Sequence, residues 1–182
     1  MSTLDQQVGA QITILAQVIA DVCQQHTLDE ASDGEISRNQ FRILKIANNG
    51  NDLPASEIAR IIQISTAAAS KNIDRLVALG LITREPVPAD RRRHRLTLTD
   101  AGHGLLQRYD DISATKLHSM LSNFTDDEKT ALTGLLQRVL RFTLADERDA
   151  ELVCLQCGGT CGEECVLKDC SGSCYSPNNL SP

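Results

Sequence analysis

Apolar residues near the start of the chain recur at alternating spacings of four and three, in the order Val8, Ile12, Leu15, Ile19 and Val22. This period predicts a helix with one narrow apolar stripe, which suits packing against another helix, including one from a second subunit. The polar stretch from 26 to 36 is predicted to end that helix.

Three short helices are predicted next. Ser37 and Gln40 have the capping-box spacing before an apolar run that ends near Gly50, where Asn or Gly can take the left-handed conformation. A second helix opens at Pro54, and residues 63–65 form a turn before a third helix, capped by Ser65 or the residue after it. Two helices joined by such a short turn are typical of a helix-turn-helix.

The third of these helices has two different faces. Its inner face is predicted to carry Ile73, Leu76 and Val77. Its outer face is predicted to carry Ala67, Ser70, Lys71 and Asp74. Small residues followed by Ser-Lys on the exposed N-terminal half of a helix would let its backbone approach a DNA major groove closely.

A hairpin and two long helices complete the pattern. Residues 81–85 and 93–98 alternate as two strands, with prolines at the tip between them. Thr99 then caps one long helix, and Thr125 with Glu128 forms a second capping box that opens another. The predicted fold is mainly α with a small two-stranded β-wing. It is a winged helix-turn-helix with N- and C-terminal dimerisation helices.

Positive charge is concentrated in the middle of the chain. Residues 65–95 contain seven Lys or Arg against three acidic residues, a net charge of +4, whereas the whole chain has a net charge of −6. An acidic protein with one basic segment is predicted to attract phosphate there, which favours a nucleic-acid partner. The alternative is a solvated arginine-rich hairpin that has no partner.

Composition argues against several other classes of protein. Aromatic residues make up 3% of the chain and Trp is absent, so a base-stacking surface for single strands or RNA is not expected. The chain has no P-loop, dinucleotide-binding glycine pattern, nucleophile elbow or HExxH, and it is not expected to be an enzyme. Without a basic N-terminal region or a membrane-spanning apolar run, a cytoplasmic protein with no membrane partner is expected.

Several of these motifs together resemble the MarR family of winged-helix transcriptional regulators, over roughly residues 4–146. The matching stretches are ISRNQFRIL, the run from SEIARIIQIS through SKNIDRLVALGLI, and Asp90-Arg91-Arg92 followed by Leu98-Thr99 and then Gly102. The last pattern is the family's wing signature. Gln63 departs from the glycine found in many such turns. The resemblance implies a sequence-specific DNA-binding regulator, with repression as the expected direction.

The resemblance also implies an obligate homodimer, joined through the N-terminal helix and the last two helices, on a double-stranded DNA operator. Arg92 is expected to reach into the minor groove while Asp90 braces the wing. Many members bind small anionic aromatic molecules between the dimer helices and the DNA-binding lobe, so a small-molecule effector is a further expectation, to which the sequence assigns no residues. The candidate DNA-binding residues are Thr66, Ala67, Ser70, Lys71, Arg75, Asp90, Arg91, Arg92 and Arg93.

Residues 146–182 form an acidic, Cys-rich tail after the winged-helix domain at 1–145. The tail has a net charge of −5 and few aliphatic residues, so a metal or disulfides would have to order it. Its cysteines have the spacing C-x2-C-x3-C-x3-C-x4-C-x3-C. The candidate metal ligands are Cys154, Cys157, Cys161, Cys165, Cys170 and Cys174.

The chemistry of this cluster has three alternatives. The outer pairs approach the spacing of a zinc site, the close spacings with glycines suit an iron-sulfur cluster, and a thiol-disulfide switch would use the same residues. The leading hypothesis is a DNA-binding regulator whose tail senses metal, cluster or redox state. One rival is a thiol or iron-sulfur redox protein that uses a winged-helix scaffold for dimerisation. Another is a protein adaptor that uses the scaffold without DNA.

Overall fold

The computed structural model describes residues 2–49, 53–87, 90–144 and 147–157, with side chains outside the description at 87, 90–93 and 147–151. The helices in these ranges are α1 Thr3–Gln17, α2 Gln24–Ser32, α3 Arg38–Asn48, α4 Ala55–Ile62, α5 Thr66–Ala78, α6 Asp100–Leu121, α7 Asp126–Thr143 and α8 Glu147–Cys157. Strands β1 Ile82–Val87 and β2 Asp90–Leu98 pair antiparallel, which confirms a mainly helical fold with a two-stranded wing. None of these helices combines the length and apolar character needed to cross a bilayer.

The first helix is longer than its sequence pattern predicts. A π-helical segment, Val18–Cys23, joins α1 directly to α2, and the helix ends only where Asp33 takes a φ of 51°. The expected break at 26–36 is therefore wrong for its first half. Thr27 and Ser32 are buried in this part of the helix. Their hydroxyls can be buried because they donate to carbonyls one turn earlier, at 2.8 and 2.7 Å.

Helix α3 lies at the centre of the core. Ser37 and Gln40 form the predicted capping box at its start. At its other end the cap residue, Asn49, is right-handed, so the expected left-handed cap is not found there, and Gly50 lies outside the described residues. Fully buried apolar side chains from α3, α4, α5 and β1 pack together, among them Ile43, Leu44, Ile58, Ile62, Leu76 and Ile82.

Helices α4 and α5 form the predicted helix-turn-helix. Gln63 has φ 60° and ψ 48°, a left-handed conformation that glycine adopts more easily. The N–H of Ile64 then donates to the carbonyl of Ala59 at 3.0 Å, and Ser65 caps α5 by accepting from the N–H of Ala68 at 3.1 Å. The turn therefore keeps its ordinary geometry despite the absence of glycine.

One residue of α5 faces the other way from the prediction. The buried face consists of Ala69, Ile73 and Leu76, which follow one another at spacings of four and three. Val77 was expected on that face but is 38% exposed. Because each residue turns about 100° around the helix axis, the position after Leu76 points away from the core.

Both strands of the wing extend beyond the predicted ranges, 81–85 and 93–98. Pro86 was expected at the tip but lies within β1, opposite His94. The register shifts between Pro86 and Val87, and such an irregularity accommodates a residue that cannot donate a backbone hydrogen bond. The tip itself, at 88–89, lies outside the described residues.

The end of the wing is joined closely to the start of α6. The Thr99 hydroxyl donates to the Gly80 carbonyl at 2.6 Å and accepts from the Gly102 N–H at 3.1 Å, while the Thr99 N–H donates to the Leu81 carbonyl. A Cβ placed on Gly102 would lie 2.2 Å from the Leu81 oxygen, so this position has no room for a side chain. The Leu-Thr-x-x-Gly pattern is explained by this junction.

We expect Gly102→Ala to lower the free energy of unfolding by about 1–3 kcal/mol, the usual cost of overpacking a close contact. Gly104→Ala is the matched control in the same helix, because its Cβ would meet only the end of the Arg108 side chain at 3.7 Å. The control should be neutral or slightly stabilising, since Ala favours a helix over Gly. Urea denaturation of both variants measures the difference in stability. Equal stability of the two variants would contradict the close contact between Gly102 and the Leu81 carbonyl.

Helix α8 packs on the winged-helix domain, against α3. Leu155 joins the core cluster, and the Asn49 amide donates from Nδ2 to the Leu155 carbonyl at 3.0 Å. The predicted boundary between a domain at 1–145 and a tail at 146–182 falls on residues outside the description. The segment that follows it begins as part of the folded lobe.

Candidate nucleic-acid interface and adjoining cavity

The N-terminal half of α5 presents a solvent-facing surface. Thr66, Ala67, Lys71 and Arg75 are exposed and Ser70 is half-buried. Lys71 and Arg75 are four residues apart, so their side chains lie on one face of the helix. The surface begins with small residues and continues with cations, which lets a helix approach closely to a surface that carries phosphates.

An arginine that was not among the predicted contact residues connects this helix to the wing. Arg84 of β1 forms an ion pair with Asp74 of α5, with Nη1 3.3 Å from Oδ1. Its Nη2 lies 3.4 Å from Nδ1 of His94 on β2. These contacts hold the base of the wing beside the exposed face of α5. The sequence signal was an acid and a cation on neighbouring elements, but only the fold shows that they meet.

The predicted wing contacts are described through their backbone alone. Asp90 opens β2 opposite Val87, and the strand continues through 91–93 to the base of the wing. The Asp90, Arg91, Arg92 and Arg93 side chains lie outside the described residues. Their assignment as DNA contacts therefore stays a prediction. It is supported by the position of their backbone, at the end of the hairpin that is far from the core.

A cavity of about 340 Å³ lies between the long N-terminal helix and the winged-helix lobe. Its aromatic wall is formed by Phe41 and Tyr109, whose ring centroids are 4.3 Å apart at an interplanar angle of 41°. The ammonium of Lys45 lies 5.2 and 5.3 Å from these two centroids, within cation–π range. The lining residues are Gln24, Leu28, Arg38, Phe41, Arg42, Lys45, Tyr109 and Gln156.

The described lining of this cavity has three cationic side chains and no carboxylate. Burial, with the like charge of Arg38, lowers the pKa of Arg42, so an anion placed between them would relieve unfavourable electrostatics. Burial raises the pKa of Asp110 on α6, although Lys45 opposes that shift. Arg38 also forms an ion pair with Asp21 at 3.0 Å and donates from Nη2 to the Ala20 carbonyl. The cavity is therefore suited to a small planar anion.

Two of the six candidate thiolate ligands lie in the described part of the tail. Cys154 is buried and Cys157 is partly exposed, and their spacing of three places them on one face of α8. Cys161, Cys165, Cys170 and Cys174 lie outside the described residues. Within the description, no three Cys, His, Asp or Glu side chains converge on one point.

The N-terminal helix and α7 expose large apolar side chains along their length, and neither α1 nor α7 has a buried residue in the single chain. The predicted stripe on the first helix is exposed at all five positions, each between 43% and 51%. On α6 and α7 the exposed apolar residues are Leu117, Met120, Leu135, Leu136, Val139 and Phe142. An apolar surface this extensive marks an interaction site.

Comparisons with known proteins agree with this architecture. A family model described as MarR family matches residues 35–93. The uncharacterized HTH-type transcriptional regulator YpoP of Bacillus subtilis is 29% identical over 70% of this chain and 89% of its own. The crystal structure of apo wild-type MarR from E. coli is 26% identical with a TM-score of 0.58, covering 72% of this chain and 95% of that one. The chain is similar to the MarR family in sequence and in fold.

A further MarR-like fold is that of a point mutant of S. aureus MepR bound to an oligodeoxyribonucleotide, at 21% identity and a TM-score of 0.54, over 71% of this chain and 95% of that one. YpoP is named as a transcriptional regulator, and that name agrees with the expectation that this chain is a regulator and not an enzyme. The MarR-family resemblance inferred from the wing signature and the helix-turn-helix is confirmed as well.

None of the residues that line the cavity is predicted from the sequence as a ligand contact, although the sequence contains a signal for it. Arg38, Arg42 and Lys45 follow one another at spacings of four and three, so they lie on one face of α3. Three cations on one face of a helix that also carries the core's Phe41 is an unusual pattern. In the sequence, three such cations on an exposed helix face cannot be distinguished from three cations that line a cavity. Only the packing of α3 against α6 shows that they line a cavity.

Proposed function

We propose that this chain is a transcriptional regulator of the MarR family, which binds a double-stranded DNA operator as a homodimer and represses transcription from it. The observation that carries the proposal is the ion pair between Arg84 and Asp74, which sets a basic hairpin beside the face of α5 that carries the half-buried Ser70 and the exposed Lys71. In this arrangement α5 enters the major groove and the wing reaches the adjoining minor groove. The DNA-bound MepR structure has the same fold, which supports this arrangement.

The homodimer is supported by the exposed apolar faces of the N-terminal helix, the end of α6 and α7. Two copies that pack these faces together bury apolar side chains that a single chain leaves in water. Two-fold symmetry then presents two α5 helices to successive major grooves. The half-sites of the operator are expected to lie about one helical turn apart, as for other dimeric helix-turn-helix proteins.

We expect Leu15→Glu to raise the dimer dissociation constant by at least about a hundredfold, because burying an unpaired carboxylate at the interface costs several kcal/mol. Gln17→Glu adds the same charge to the same helix, but on the opposite face, where the exposed Gln17 is away from the stripe. Sedimentation equilibrium measures the dissociation constant. A dimer that tolerates Leu15→Glu as well as it tolerates the control would contradict this interface.

The cavity is the proposed effector site, and a small aromatic carboxylate is the proposed class of effector. Phe41 and Tyr109 offer a surface to a planar ring, and Arg38, Arg42 and Lys45 offer donors to a carboxylate. Because the cavity adjoins both the N-terminal helix and the helix-turn-helix lobe, its occupancy can affect how the lobe sits on the dimer. Calorimetric titration with benzoate, with the uncharged benzamide as control, tests the proposed chemistry.

The tail is proposed to hold a metal or an iron-sulfur cluster on cysteine thiolates and to sense its availability. Cys154 and Cys157 share a face of α8, which suits two ligands of one site. Zinc, a cluster and a disulfide switch make different predictions for protein purified without oxygen. Absorption near 400 nm with bound iron indicates a cluster, stoichiometric zinc indicates a zinc site, and neither indicates a thiol switch.

A further inference from the structure

Helix α8 forms one wall of the effector cavity through a single side chain. Gln156 lines the cavity, and its Oε1 accepts from Nε of Arg42 at 2.8 Å and also from Nη2 of the same guanidinium. Arg42 also donates from Nη1 to the Ile62 carbonyl at 3.0 Å. Arg42, to which an anion in the cavity would bind, is therefore already hydrogen-bonded to α8 on one side and to the end of α4 on the other.

The remaining contacts of α8 reach the helix-turn-helix itself. Nε2 of Gln156 lies 3.5 Å from the Ile61 carbonyl, at the end of α4. Leu155 is buried in the core cluster, and its carbonyl accepts from the Asn49 amide at 3.0 Å. Docking of α8 thus fixes the last turn of α4, immediately before the turn into α5.

The docked state also carries a cost. Oδ1 of Asn49 is buried without a hydrogen-bond partner among the described residues. Leaving such an acceptor unsatisfied costs free energy that water would return if α8 moved away. The Gln156 contact to Arg42 is a neutral acceptor on a cation, and a carboxylate makes a stronger hydrogen bond to the same group. A small anion can therefore replace Gln156.

We infer that α8 is a strap that competes with the effector: an aromatic carboxylate in the cavity takes Arg42 from Gln156 and releases α8 from α3 and α4. The inference rests on the proposed effector site. Linkage makes the competition reciprocal, so whatever holds α8 in place weakens anion binding by the same factor. The strap thereby connects the segment that carries Cys154 and Cys157 to the turn of the helix-turn-helix.

The test uses the full-length protein, benzoate as the anion and two variants of the contact. Gln156→Ala removes the acceptor and should bind benzoate more tightly, within the roughly 5- to 150-fold range of such couplings. Gln156→Glu supplies a carboxylate of its own to Arg42 and should bind benzoate more weakly than the wild type. Val153→Ala is the control, since Val153 is exposed on the same helix and should leave benzoate affinity unchanged.

The movement of α8 is measured by hydrogen exchange of the peptide that covers 147–157. Saturating benzoate should speed exchange in wild type and in Val153→Ala, and the unliganded Gln156→Ala should already exchange faster. If benzoate binds wild type and Gln156→Ala equally well, or binds without changing this exchange, the strap is overturned while the effector site stands. If it binds neither protein, the effector site and the strap both fail. Operator binding is independent of either outcome.

Discussion

Leu76→Ala is expected to lower the free energy of unfolding by about 2–5 kcal/mol, the range for removing a large aliphatic side chain from a packed core. Leu76 is fully buried beneath α5, where it packs with residues of α3 and β1 in the central cluster. Urea denaturation at a fixed protein concentration measures the loss, since dimerisation makes apparent stability concentration-dependent.

Val77→Ala is the matched control for this prediction. It is the next residue of the same helix and loses similar atoms, but its side chain is 38% exposed, so it should cost much less than Leu76→Ala. Similar losses for the two variants would mean that α5 is rotated from the orientation described here. A Leu76→Ala protein that melts normally but fails to bind DNA would lead to the same conclusion.

Arg92→Ala is expected to weaken operator binding by about 1–3 kcal/mol, since Arg92 is proposed to contact base edges in the minor groove. Arg91→Ala and Arg93→Ala should instead each reduce the slope of log affinity against log salt by about one, as expected for a lost phosphate contact. Fluorescence anisotropy with a labelled operator, repeated over a range of salt concentrations, separates the two effects.

Lys129→Ala provides the control for charge alone. Lys129 lies on α7, where it pairs with Asp126 at 3.2 Å, far along the chain from the wing. Its removal lowers the net charge by the same amount as each wing variant and should leave both affinity and salt slope nearly unchanged. If all three wing variants behave like Lys129→Ala, the wing does not contact DNA and the proposed arrangement is wrong.

Local sequence signals predicted the local structure well. The capping boxes of α3 and α7 and the cap of α6 are each formed by residues three positions apart, so a short stretch of chain determines them. The helix-turn-helix was predicted for the same reason. Gln63 shows why the turn survives without glycine, because packing of α4 and α5 holds a non-glycine residue in the left-handed region.

The features that the sequence does not predict depend on tertiary packing. Buried hydroxyls of Thr27 and Ser32 bond to their own helix, so a polar stretch continues α2 instead of ending it. Helix α8 has only a few apolar residues, and its place in the lobe comes from Leu155, Gln156 and their distant partners on α3 and α4. Partners about a hundred residues away leave no periodic trace in the sequence.

Operator recognition is tested most simply by a binding titration of the full-length protein against DNA from upstream of its own gene, beside a scrambled duplex of the same length and composition. At physiological salt, we expect one dimer per site and an affinity at least about a thousandfold higher for the upstream DNA, which is the lower end of the range for specific regulators. Equal affinity for the two duplexes, or no binding to either, would contradict a regulator that recognises an operator through α5 and the wing.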